Sequence, residues 1–157
     1  MKKSLPLVLV CALIVVSFIG CSSAPARDKQ FYYGDIYFGM SKDDVKEIAS
    51  GNLYDEDETI LTYNNSEAPY TSSKTQTMYD FRAGKLSHIM VWYEGSETEI
   101  ITHLKEVLTE DYGACTEKED TDGTIYYYWK TSLVSVTLDY DDVTSSATVL
   151  YSRIVFK

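Results

Sequence analysis

The stretch TIYYYWKTSLVSVTLDY, Thr124 to Tyr140, decides how this chain folds. It sets four aromatic residues in a row, Tyr126 to Trp129. In a β-strand side chains alternate between two faces, so at most half of those rings can enter one core. A hairpin turning at Thr131 and Ser132 places Trp129 opposite Val134, Tyr127 opposite Val136 and Ile125 opposite Leu138, a wholly apolar face. The other face carries Tyr126 and Tyr128 against Thr137 and Ser135, with Lys130 and Asp139 beside them. Two rings are expected inside and two outside.

An earlier segment repeats the pattern at an offset of about 48 residues, within the range of internal structural repeats. With a turn at Ala83 and Gly84, Phe81 faces Leu86, Tyr79 faces His88, Thr77 faces Met90 and Thr75 faces Trp92. That register puts His88 on the apolar face, as a hydrogen-bonded core histidine, and leaves Met78, Ile89, Val91 and Tyr93 outward. A helix signal precedes each hairpin. In GMSKDDVKEIASGN, Ser41 is the N-cap, Asp44 completes a capping box, Met40 and Val45 form a hydrophobic staple, and Gly51 marks the stop. In GSETEIITHLKEVLTEDYG, Ser96 and Glu99 form the box, Ile100, Ile101, Leu104, Val107 and Leu108 follow the helical period, and Gly113 ends it. Three strand-like runs follow each helix, at 59–63, 75–82 and 85–93, then at 125–130, 133–140 and 148–156. The expected fold is α+β and two-layered, tandem units of one helix plus three antiparallel strands with the helices on one face of the sheet. One domain spans 31–157, its units covering about 31–95 and 96–157.

The N-terminus reads MKKSLPLVLVCALIVVSFIGC: two lysines, an apolar run too short for a comfortable membrane span, then Cys21. It resembles a bacterial lipoprotein signal peptide, residues 1–20, with FIGC as the lipobox. The resemblance implies cleavage before Cys21, lipidation of that residue, and an extracytoplasmic protein held at the cell membrane or outer membrane. Two or three acyl chains suffice for stable anchoring. Residues 21–30 then form the lipidated cysteine and a flexible linker. The FGMSKDDV start, the helix-then-meander order, the duplication and the lipobox also resemble the small bacterial lipoproteins that include the outer-membrane assembly factor SmpA/OmlA (BamE). They are similar as well to the β-lactamase-inhibitor-protein fold, which is two such units in tandem.

The chain carries 14 basic and 24 acidic residues, a net charge of -10, and becomes more acidic once Lys2 and Lys3 are removed. Nucleic acid and anionic lipid surfaces are therefore poor partners. With Cys11 cleaved away and Cys21 lipidated, Cys115 stands alone among carboxylates and is expected to be inert. No nucleophile motif or phosphate loop is present, and EDTDG at 119–123 lacks the ligand ladder of a calcium loop, so no catalysis, metal or cofactor is expected. His103 falls on the polar side of the second helix. Tyrosine stands out, at 14 residues. An unpaired Arg153 does not suit a core, so Leu150, Ile154 and Phe156 are expected to face the helices, leaving Tyr151 and Arg153 outward with Tyr126 and Tyr128. Those four form the expected partner-binding face, for an envelope protein or peptide. The alternative is a small-ligand pocket between helices and sheet.

Overall fold

The computed structural model describes residues 31–119, 125–141 and 143–155. The expected signal peptide, Cys21, the linker, the tip of the 119–123 acidic loop and Phe156 lie outside them. The described chain opens with a small hairpin, β1 (Tyr32–Tyr33) and β2 (Ile36–Tyr37), followed by helix α1 (Lys42–Ile48). Strands β3 (Asn52–Glu56), β4 (Ile60–Ala68), β5 (Thr71–Arg82) and β6 (Lys85–Glu94) lead into helix α2 (Glu97–Tyr112). Strands β7 (Thr116–Glu119), β8 (Ile125–Lys130), β9 (Val134–Asp141) and β10 (Ser146–Arg153) complete the chain.

The expected balance of helix and sheet, with three strands per unit, does not form. One antiparallel sheet of eight strands dominates, in the order β3-β4-β5-β6-β10-β9-β8-β7. Two of its strands, β3 and β7, come from acid-rich segments outside the six expected runs. Every residue of β3 is exposed, and both strands lie at the sheet edges. An edge strand wet on both faces needs no apolar alternation, and its charges discourage pairing with another chain.

Helix α1 starts as its sequence dictates. The Ser41 hydroxyl accepts from the Asp44 amide at 3.2 Å, and the Asp44 carboxylate accepts from the Ser41 amide at 3.3 Å. At α2 the Ser96 hydroxyl instead donates to the Glu99 carboxylate at 2.9 Å and makes no bond to the helix backbone. Both helices are slender covers: α1 buries only Val45, and α2 only Leu104 and Leu108. The remaining cover comes from the segment before α1, where Phe31, Tyr33, Ile36, Phe38 and Met40 are all buried. Phe31 stacks on Tyr151 at 5.3 Å between ring centroids, and Tyr33 tilts against the same ring at 5.6 Å.

Both hairpin registers depart from expectation, with different results. At β8–β9, Trp129 pairs with Val136 and Tyr127 with Leu138. The turn is longer because the Thr131 hydroxyl accepts from the Leu133 and Val134 amides, each at 3.1 Å. A slip of two residues preserves the faces, so Tyr127 and Trp129 stay on the covered side. At β5–β6 the turn forms at Ala83 and Gly84, both with positive φ, but a bulge follows. Phe81 pairs with Leu86, whereas Asp80 pairs with His88, so Ser87 is the extra residue. A slip of one residue exchanges the faces beyond it. Ile89, Val91 and Tyr93 are therefore core residues, and His88, Met90 and Trp92 turn outward.

Candidate functional site

One face of the sheet holds the fully buried rows. Val91, Val149 and Leu138 are paired across β6, β10 and β9, as are Ile89, Tyr151 and Val136. On the opposite face, strand residues from Met78 to Tyr128 stay partly open to solvent. The middle row of that open face runs Met78, Met90, Leu150, Thr137, Tyr128. The next row runs Gln76, Trp92, Thr148, Asp139, with Tyr126 one step beyond the Tyr127–Leu138 pair.

The four expected partner-binding residues do not come together. Tyr126 and Tyr128 lie on the open face, as the alternation requires. Tyr151 is fully buried on the covered face. Arg153 shares that covered side, yet it is exposed, because it is the last residue of β10 and its guanidinium escapes at the sheet margin near Gly39. A long cationic side chain at a strand end reaches water while its stem follows an apolar surface. Arg153 therefore does not fix the facing of β10, whose expected faces are exchanged, and Leu150 points to the open side. Tyr128 carries the Lys118 ammonium over its ring at 5.0 Å.

His88 is likewise a surface group. Its Nδ1 lies 2.7 Å from the Asp80 carboxylate and 3.0 Å from the Ser87 hydroxyl. Ser152 is its neighbour on β10, but among the described residues the imidazole makes its hydrogen bonds to Asp80 and Ser87 only. His103 is exposed and bonds the Tyr70 carbonyl at 2.8 Å.

A groove of about 600 Å³ opens on the same face, centred on Trp92. Its walls are polar: Asn64, Asn65, Thr75 and Gln76 on one side, Glu94, Asp141, Thr144, Ser146 and Thr148 on the other. Gln76 donates to the Asn64 side-chain oxygen at 2.7 Å. Asp141 accepts from the Val143 amide at 2.8 Å, a bond that holds its carboxyl below the usual aspartate range. Asp139 behaves oppositely, since partial burial raises its pKa. Unbroken alternation from Leu86 sets Trp92 on the core face, and nothing local to β6 marks the bulge that brings it out.

A second depression, about 310 Å³, lies between the β1–β2 hairpin, the end of α1 and the sheet, lined by Tyr33, Ile36, Ile48, Ala49, Pro69 and Tyr79 among others. Among the described residues, no group of three or more histidine, cysteine or acidic side chains is placed to hold a metal ion, and no helix is long and apolar enough to cross a membrane.

No protein-family model matches this chain. No curated protein matches it either. Among solved structures it is similar to a DUF4309 family protein (YjgB) from Bacillus subtilis, with 14% identity over 73% of this chain and 78% of that one and a TM-score of 0.46.

Proposed function

We propose that this chain is a lipid-anchored, extracytoplasmic binding protein without catalytic activity, tethered through Cys21 and using the open sheet face to hold a protein or peptide of the cell envelope. The observation that carries the reading is the open face itself, where Met78, Met90, Leu150 and Tyr128 share one row and Trp92 stands in the next. Methionine adapts its shape to a partner, and rigid aromatic rings contribute area at low entropic cost. The acidic composition argues against nucleic acid. The test is capture from envelope extracts with the full lipidated chain as bait. Trp92→Ala with Tyr128→Ala should abolish capture while leaving thermal unfolding nearly unshifted; full capture by the folded double variant would remove the face from the function.

A small-ligand reading is favoured by one observation, the partly apolar depression of about 310 Å³ beside Ile48 and Tyr79, a volume near the lower end for ligand pockets. Ile48→Trp narrows that depression without touching the open face. Loss of capture in this variant alone would move the function there.

A further inference from the structure

The geometry points to the Trp92 groove as a cation site, taking the ammonium or guanidinium of a lysine- or arginine-bearing peptide over the indole, lined by Glu94 and Asp141 and bordered beyond Thr148 by Asp139. This inference rests on the reading of the open face as a peptide-binding surface and specifies its chemistry. The carboxylates are arranged by the sheet rather than by a loop. Glu94 and Asp141 are both paired with Ser146, one from each neighbouring strand. In the next row Thr148 separates Trp92 from Asp139 in the same way. Two carboxylates thus stand across one row and an indole and a carboxylate across the next, and among the described residues no lysine, arginine or histidine lines the groove.

Among the described residues, no lysine or arginine pairs with Glu94, Asp139 or Asp141. Asp139 is only partly exposed. A partly buried carboxylate without a counter-charge is unfavourable, and an incoming cation offsets that cost. The indole suits the same guest, since tryptophan gives the strongest attraction of a ring face for a cation. The protein already uses this contact elsewhere: the Lys105 ammonium lies 4.0 Å from the Tyr127 ring centroid and that of Lys118 lies 5.0 Å from Tyr128. A neutral saccharide fits less well. It would bring the carboxylates no counter-charge, and two of the three lining amides that could read its hydroxyls, Asn64 and Gln76, already bond each other. The net charge of -10 adds long-range attraction for a basic partner.

The test uses the full chain in detergent, with tetra-arginine and tetra-lysine peptides as probes and tetra-glutamate and a neutral chitin tetramer as comparisons. Two tryptophans are present, and Trp129 is 1% exposed, so quenching by iodide reports on Trp92. The cationic peptides should shield Trp92 saturably and progressively less as salt rises. Glu94→Gln with Asp139→Asn should weaken this by about tenfold or more. Asp43→Asn with Glu47→Gln, the same change of charge on α1, should leave it unaltered. Equal weakening in both double variants would reduce the effect to general attraction and overturn the site. Shielding by the chitin tetramer but not by the peptides would overturn the cation assignment in favour of a saccharide. Envelope capture that depends on Trp92 but is not competed by the cationic peptides would overturn it while leaving the binding face standing. Capture indifferent to Trp92→Ala, together with no shielding of Trp92 by either cationic peptide, would remove the two together.

Discussion

Replacing Tyr151 by alanine should remove much of the protein's stability, whereas replacing it by phenylalanine should remove none. The ring is fully buried, stacked on Phe31 and tilted against Tyr33 and Tyr112, with centroids 5.3, 5.6 and 6.5 Å away. Truncation to alanine removes those contacts and opens a cavity at the centre of the covered face, a loss of about 3–5 kcal/mol. For a domain whose whole stability is on the order of 5–15 kcal/mol, that leaves little. Phenylalanine keeps the ring and deletes a buried hydroxyl that, among the described residues, makes no well-formed hydrogen bond and has at most a weak contact with the Tyr93 hydroxyl. That weak contact is all that is lost while a desolvated group is relieved, so Tyr151→Phe should be neutral or more stable, by up to about 1–3 kcal/mol. Urea unfolding followed by far-ultraviolet dichroism reads both changes, at an unchanged slope.

The same hydroxyl has a pH signature. Burial raises the pKa of Tyr151 well above the ordinary tyrosine value, and burial does the same for Tyr33, Tyr79 and Tyr93. Below about pH 10 folded and unfolded chains both hold these protons and the contribution is constant. Above it the unfolded chain ionises first, the folded state binds more protons, and stability falls as pH rises towards the folded-state pKa. Tyr151→Phe should make that fall shallower by about 1.4 kcal/mol per pH unit. A Tyr151→Ala variant within about 1 kcal/mol of the parent would mean that the ring is not enclosed, since an enclosed ring cannot be removed at that cost. It would return Tyr151 to the open face.

Trp129→Ala should lower stability by about 3–5 kcal/mol, whereas Tyr126→Ala and Tyr128→Ala, measured in the same titration, should each cost on the order of 0.2–1 kcal/mol; the reverse ranking would mean that β8 is turned over. At Gly51, with φ +97°, an added Cβ would stand 2.6 Å from the Asn64 carbonyl oxygen and 2.9 Å from the Ser66 amide nitrogen. Gly51→Ala is therefore expected to lower the unfolding midpoint by the equivalent of about 1–3 kcal/mol. Cys21→Ser should abolish metabolic labelling with a fatty acid, and label retained in that variant would disprove lipidation at this residue.

What the sequence determined by itself is local. Ser41 and Asp44 cap α1 because each needs only a neighbour three residues away, and Ala83–Gly84 turns because both residues accept positive φ. The strict alternation of β8 put Tyr127 and Trp129 on one face, and the slip of that hairpin, being even, kept the face inward. The open face was half visible for the same reason, through Tyr126 and Tyr128. Decisions that joined distant segments were not written locally. The bulge at Ser87 satisfies a core that requires Leu86 and Ile89 on one side at once, and it alone brings Trp92 to the surface. The facing of β10 was settled by Phe31 and Tyr33, which supply a pocket for Tyr151, while Arg153 could reach solvent at the strand end. The two acidic edge strands follow only from having β4 and β8 to pair with. Each of these choices minimises exposed apolar surface and unpaired backbone over the assembled sheet, a quantity that no single stretch of the chain contains.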